Sequence, residues 1–316
     1  MEHRRRLILA IFVVLLFAFC SGRELKVKHK HKHIDHFPIY NHTLATILVE
    51  YASAVYMSDL TELFTWTCSR CDDLTEGFEI IELIVDIQHC LQVHFLLVHH
   101  GFYNAYHNTT LRPGILNAVK RAKEYYGDLD IMVTGHSMGG AIAAFCGLDL
   151  TVNHKAKNVM VMTFGQPRIG NAAFASYYSQ CVPNTIRVTN DHDIVPHLPP
   201  YYSYFPQKTY HHFPREVWLY NVGLGSLVYT VEKVCDVTGE DPTCSRSVSG
   251  TSISDHIIYY GVELMAETWR SCGIVMDSRV KEYGKTDLKG NFVLSRDPAS
   301  PILKLKTEAY GGGNHV

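Results

Sequence analysis

The chain has 316 residues, 47% of them hydrophobic and 19% charged, with a formal net charge of −2 at pH 7. That composition suits a folded globular chain with one sizeable core, and the near-neutral charge excludes the basic surface that a nucleic-acid partner needs. Neither internal repeats nor an interdomain linker interrupt it.

The first 22 residues read as a secretory signal. Arg4-Arg5-Arg6 form a basic head, Leu7 to Phe19 a 13-residue apolar stretch, and Cys20-Ser21-Gly22 a small-residue cleavage site. Thirteen apolar residues are too few to span a bilayer, and no later stretch matches them, so a soluble mature protein is expected. Cleavage after Gly22 removes three arginines and one glutamate and leaves a net charge of −4. Residues 23–42 form a basic, His-rich leader. Its core, Lys26 to His36, is expected to be solvated, or to tether the chain to an anionic membrane or a metal below about pH 6.5, where imidazoles charge.

Residues 43–273 carry the pattern of an α/β domain. Thr43 to Met57 repeats apolar residues at helical spacing through Leu44, Ile47, Leu48, Tyr51 and Val55. Phe78 to Leu97 is apolar and strand-like. Leu111 to Tyr126 is an amphipathic helix, with Ile115, Leu116 and Val119 on one face, Lys120, Lys123 and Glu124 on the other, and Gly127 as its stop. Strands are expected at Ile131–Thr134, Val159–Phe164, Thr185–Thr189 and Glu216–Tyr220. The run at Val159 is apolar throughout, as in a parallel strand buried on both faces. Strands alternating with helices predict a mostly parallel, doubly wound sheet. Residues 274–316 read as a less periodic C-terminal extension, in which Asn291–Leu294 and Ile302–Leu305 add peripheral structure and Gly311–Val316 frays.

Between the strand at Ile131 and the following helix stands Gly135-His136-Ser137-Met138-Gly139. An apolar strand running into Gly-x-Ser-x-Gly and out into small residues is the nucleophile elbow of an α/β-hydrolase. The tight turn strains the serine backbone and lifts its Oγ clear of the sheet, with Gly135 and Gly139 sparing a Cβ collision. A helix starting at Met138 turns its free N–H groups toward a developing oxyanion.

A serine hydroxyl needs a general base, steadied in turn by a carboxylate, and in this fold the chain order is serine, acid, histidine. The loop after the strand at Thr185 offers Asp191 and Asp193. Val195-Pro-His-Leu-Pro-Pro200 stiffens the chain beyond Asp193, which is preferred, with Asp191 as the alternative. Nineteen histidines compete for the base. His197 lies too near the acid in sequence, and His211 and His212 precede the last clear strand, where a structural or pocket role suits them. His256 follows that strand, on a loop expected to enter a helix, and is the expected base.

Loss of Cys20 leaves eight cysteines, an even number that suits an oxidising compartment. Cys68-Ser-Arg-Cys71 lacks a second ligand pair for zinc, so a disulfide framework is expected and no metal. Cys146, inside the helix after the elbow, is expected to be a buried free thiol. Asn41-His-Thr43 and Asn108-Thr-Thr110 are glycosylation acceptors suited to a secreted surface.

In combination these residues resemble class 3 lipases, especially secreted plant members related to the fungal lipase fold. The resemblance rests on Trp66-Thr-Cys-Ser-Arg-Cys71, Val98-His-His-Gly-Phe102, the elbow, Thr163-Phe-Gly-Gln-Pro-Arg-Ile-Gly-Asn171 and Asp193-Ile-Val-Pro-His-Leu-Pro-Pro200. It continues through His211-His-Phe-Pro-Arg-Glu-Val-Trp218 and Asp255-His-Ile-Ile-Tyr-Tyr260. It implies hydrolysis of triacylglycerols or related acyl esters at a lipid–water interface by Ser137, Asp193 and His256, with no cofactor. The compartment it implies is the secretory pathway, extracellular or in the lumen of the vacuole or endoplasmic reticulum. Contact with a membrane or lipid droplet would be peripheral, and no protein partner is inferable.

One element of the resemblance is missing. Such lipases carry a strand ending near Phe-Arg-Gly-Thr and an Asn-Trp segment bearing a lid; this chain has no Arg-Gly and no Asn-Trp dipeptide. One or two strands are therefore expected to be absent. Met138 N–H would be one oxyanion donor, while the loop supplying the second is gone; Val93–Val98 sliding into the vacancy would bring the N–H of His99 or His100 instead. The alternatives are a catalytically impaired, lipid-binding or silent relative, and a phospholipase or galactolipase. The aromatic stretch Tyr201–Phe205 would grip an interface or pack internally.

Overall fold

The computed structural model describes residues 39–71, 73–80, 82–85, 98–202, 209–224, 227–266, 275–277, 283–286 and 292–295. The expected signal segment, residues 23–38 of the His-rich leader, Val93–Leu97, Ile302–Leu305 and Gly311–Val316 lie outside them, while the leader's last residue, His42, already opens the first helix. In chain order come helices α1 (His42–Ala54) and α2 (Leu60–Thr65), strand β1 (Glu82–Val85), and helices α3 (Val98–His107) and α4 (Leu111–Tyr126). Strand β2 (Ile131–His136) feeds helix α5 (Met138–Val152), followed by β3 (Val159–Phe164), β4 (Gly170–Asn171), α6 (Ala172–Cys181) and β5 (Thr185–Asn190). Then follow β6 (Tyr210–His211), β7 (Glu216–Leu224), β8 (Leu227–Val234), β9 (Ile258–Tyr259), β10 (Val262–Glu263), β11 (Gly284–Thr286) and β12 (Phe292–Ser295).

The central sheet has the order β2-β3-β5-β7-β8. Its first four strands run parallel and β8 closes it antiparallel to β7. β3 shows why an unbroken apolar run makes a central strand. Val159 and Val161 point into a cluster with Tyr106, Ala141, Ala144, Phe145 and Tyr178, contributed by α3, α5 and α6. Met162 and Phe164 point the other way, onto Ala45, Leu48 and Val49 of α1. Helices thus cover both faces, the doubly wound arrangement the pattern predicts, and the fold is that of an α/β-hydrolase. Each fully buried side chain of this kind contributes about 1.5–3 kcal/mol.

The helix expected at Leu111–Tyr126 has those bounds, ending on Gly127 at φ 81°. Four expectations are corrected. The strand-like region at Phe78 yields β1, which joins β12 and β11 in a separate antiparallel sheet rather than the central one. The strand at Glu216 runs on to Leu224 and pairs with β8, which the sequence pattern did not announce because its residues alternate without a buried face. The described residues directly after His256 form no helix: Tyr260 (φ 54°) and Gly261 (φ 80°) make a two-residue turn between β9 and β10. Left-handed angles at both central residues belong to hairpin turns and break a helix. Gly139 meets nothing within 4 Å of an added Cβ, so the elbow does not need it for space.

Among the described residues, Cys68–Cys71 and Cys235–Cys244 are disulfides, and Cys146 is a buried free thiol. Cys181 is also free. Cys90 and Cys272 lie outside the description. No described helix is long and apolar enough to cross a membrane.

Candidate active site

Ser137 sits between β2 and α5 at φ 56° and ψ −126°, a conformation rare for a residue with a Cβ. Holding it there costs on the order of 1–3 kcal/mol, met by the surrounding structure. Part of that restraint is visible: Ser137 N–H donates to the Phe164 carbonyl at 2.9 Å, locking the elbow to β3. Gly135 is required by space, since an added Cβ would lie 2.4 Å from the Gly139 carbonyl oxygen. Met138 is the first residue of α5, so its N–H belongs to the helix turn that has no internal acceptor.

Asp193 and His256 form a buried pair, with His256 Nδ1 and Asp193 Oδ2 2.9 Å apart. The carboxylate collects more donors: Tyr259 OH gives Oδ2 a hydrogen bond at 2.6 Å, and Val195 N–H gives Oδ1 one at 2.8 Å. Charge-assisted bonds of this kind are roughly twice as strong as neutral ones. Burial first, and then the adjacent Asp193 charge, raises the Tyr259 phenol well above its ordinary pKa, so it stays a donor. Gly165, at φ 58°, leaves the pair its room: an added Cβ would stand 2.7 Å from Asp193 Oδ2 and 2.9 Å from His256 Nδ1.

The elbow and the pair are joined through His136, the residue before the serine. Its Nε2 lies 2.7 Å from the His256 carbonyl, its Nδ1 lies 2.7 Å from Tyr56 OH, and its ring packs 4.4 Å from the His256 ring. A carbonyl only accepts, so Nε2 carries the hydrogen and Nδ1 accepts from the tyrosine. Burial, and then the neighbouring His256, lower the His136 pKa to about 3, so this ring is neutral.

The structure therefore brings Asp193 and His256 together and sets Ser137 one residue from a direct contact with His256. It separates Asp191, whose carboxylate faces His192 Nδ1 at 2.8 Å and Asn221 at 3.2 Å. His197 lies in a single 3-10 turn, Val195–His197, and is not among the groups that bond Asp193. His212 is structural, its Nε2 2.8 Å from the Pro196 carbonyl. Tyr201 of the aromatic stretch packs internally, its ring 4.5 Å from the Arg246 guanidinium, and residues 203–205 lie outside the description. Among the described residues, two groups have ligand-like spacing, Cys235 with Asp241 and Cys244, and Asp191 with His192 and Asp255. The sulfurs of the first are spent in a disulfide.

Sequence reasoning missed the residues that brace the acid loop. Buried Arg168 makes a two-point pair with Glu240 at 2.7 and 2.9 Å and donates to the Pro199 carbonyl at 3.0 Å. Its own N–H holds Leu198 at 2.8 Å. The signal for it was present, an arginine inside the Gln-Pro-Arg-Ile-Gly stretch, but its acidic partner stands 72 residues away.

Comparison with known proteins follows this geometry. The family described as Lipase (class 3) matches residues 57–203. The lipase of Rhizomucor miehei is 36% identical over 169 residues, 52% of this chain and 43% of that protein. Over those residues the chain is similar to class 3 lipases. Secreted mono- and diacylglycerol lipase 1 of Fusarium solani is 34% identical over 165 residues, 52% of this chain and 46% of that protein. A solved triacylglycerol lipase whose catalytic centre is a serine protease triad superposes with a TM-score of 0.56 at 27% identity, over 70% of this chain and 94% of that one. The chain spans about half the length of the curated relatives it matches.

Proposed function

We propose that the chain is a secreted carboxylic ester hydrolase that cleaves triacylglycerols or their partial glycerides. The observation that carries this reading is the buried Asp193–His256 hydrogen bond beside a strained serine elbow. In the proposed cycle Ser137 Oγ attacks the ester carbonyl carbon while His256 Nε2 takes its proton. Asp193 holds the ring tautomer and stabilises the imidazolium. Met138 N–H meets the oxyanion; His256 then returns the proton to the leaving alcohol, and water repeats the sequence on the acyl-enzyme. The named acylglycerol lipases among the relatives support the substrate class. The two disulfides support an oxidising compartment, in keeping with the basic-apolar N-terminus, the glycosylation triplets, and the division into signal, leader, hydrolase domain and extension.

Labelling by a fluorophosphonate probe, together with turnover of a tributyrin emulsion, tests this reading; both should vanish in Ser137→Ala. A wild-type chain that neither labels nor turns over overturns it. A second reading, an impaired hydrolase, draws on the elbow strand. Among the described residues β2 has one neighbour, β3, and Met132 on it is 55% exposed. A chain relying on Met138 alone for the oxyanion would turn over about 10²–10³ more slowly than one with two donors.

A further inference from the structure

The hairpin of β7 and β8 overhangs the central sheet. Asn190, the last residue of β5, lies level with Leu219 of β7, yet β7 continues for five more residues to Leu224. At about 3.3 Å per residue that is an overhang of roughly 16 Å. β7 runs parallel to β5, so the overhang leaves the sheet at the end where the chain passes from Asn190 into Asp193. Its base is fastened to that loop: Trp218 Nε1 donates to the Asp191 carbonyl at 3.1 Å, and Asn221 donates to the Asp191 carboxylate at 3.2 Å.

Register sorts the overhang into two unlike faces. Tyr220 pairs with Val231, Val222 with Tyr229, and Leu224 with Leu227, and cross-strand partners share a face. Those six side chains make one unbroken apolar face. The opposite face carries Asn221 and Thr230, joined by a 2.9 Å side-chain hydrogen bond, and beyond them only Gly223 and the exposed Val228. Nothing described covers the apolar side: Leu224 is 91% exposed, Leu227 and Tyr229 64% each. An exposed apolar patch rimmed by polar groups marks an interaction surface.

Charge selects the occupant. From Tyr220 to Val231 no Asp, Glu, Lys, Arg or His occurs. The next residue, Glu232, is engaged by His42 at 2.6 Å. A face with no charge matches a surface with none to offer, and a protein partner's polar rim would find no charged counterpart here. We propose that the tip of the β7–β8 hairpin, through Val222, Leu224, Leu227 and Tyr229, enters an uncharged acyl-lipid surface and thereby seats the Ser137–His256–Asp193 end of the sheet against its substrate. This proposal rests on the hydrolase reading for its purpose, but the binding it describes is measurable without turnover.

The test is flotation of the full chain, in a Ser137→Ala background, with a trioleoylglycerol emulsion coated with phosphatidylcholine. The comparison variant is Leu224→Ser/Leu227→Ser/Tyr229→Ser. The bound fraction should fall about a hundredfold or more in the variant. Binding of the parent should be unmoved between about 0.05 and about 0.5 M salt, since no ion pair is involved. Melting temperature and elution volume control for folding, because the replaced side chains are exposed. Equal flotation of parent and variant, absence of parent flotation, or flotation that collapses with salt would each overturn the proposal. So would a dimer of the parent that the variant dissolves, which would make a second copy the occupant. Hairpin-dependent flotation by a chain that shows no ester turnover in its Ser137 form would support the lipid surface and overturn the hydrolase.

Discussion

The two flanks of the central sheet are built to different standards. On the flank of β5 and β7, a fully buried Arg187 donates to the Phe213 carbonyl at 2.7 Å and Arg168 grips Glu240, while Asp193 takes bonds from three separate groups. On the flank of β2, Met132 is more than half exposed and helix α4 has no fully buried residue. Asp193 and His256, the proposed acid and base, are over-determined; Ser137, the proposed nucleophile, is held mainly by its own turn and by β3. Machinery that must hold a proton in one place thus receives redundant bonds, and the flank carrying the serine depends on local strain.

The sharpest way to break this contrast is at the acid. Asp193→Asn should lower turnover of a soluble ester by about 10⁴-fold, because the wrong histidine tautomer is then favoured. Asp191→Asn, two residues away but facing His192 and Asn221, should leave kcat within a few-fold. Comparable losses in both would show that Asp193 is not the privileged carboxylate. Next in size is the brace. Arg168→Ala strands Glu240 in the interior and should cost about 3–5 kcal/mol in urea unfolding. Lys157→Ala, whose partner Asp128 is open to solvent, should leave the midpoint unmoved. Equal shifts would erase the difference between the flanks.

A smaller effect follows from buried neutral histidines. His136 is lowered to about 3, by burial and then by His256, and His212 is lowered well below its ordinary value, by burial and then by Arg187 and Arg168. The unfolded chain takes up protons at these groups below about pH 6.5 and the folded chain does not, so stability is lost as pH falls from about 6.5 toward 3. Each group contributes at most about 1.4 kcal/mol per pH unit over its window. A melting-temperature profile should therefore slope downward on the acid side, and His136→Asn should flatten it; an unchanged slope would remove His136 from the account.

Legibility followed the range of the interactions. The elbow, α4 and β3 were readable because their signals are local: glycine spacing, a helical stripe ending on Gly127, an apolar run. Asp193 and His256 were readable through chain order and the stiff proline segment. What stayed hidden depends on residues far apart in sequence. Gly165 matters only because Asp193 and His256 come to stand where its side chain would be, and Arg168 only because Glu240 does. The β9–β10 turn hid for another reason: Tyr260-Gly261 is a weaker turn signal than Asn-Gly, and the apolar residues around it imitate a helix start.

The smallest expected effect measures how thin the β2 flank is. Ile186 of β5 is fully buried between sheet and α1, and Ile186→Ala should cost about 2–5 kcal/mol, the transfer loss plus a cavity the neighbours cannot fill. Leu116 of α4 packs on the opposite cluster while half-exposed, beside Lys120, Lys123 and His154 along an open groove of about 500 Å³. Water already reaches that side chain, so Leu116→Ala removes little buried area and leaves no sealed cavity, and about 1 kcal/mol or less is expected. Urea midpoints at matched slope decide between the two outcomes. A Leu116→Ala cost equal to that of Ile186→Ala would mean that α4 is as tightly seated as the core strands, and that the serine's flank is as well supported as its partners' flank.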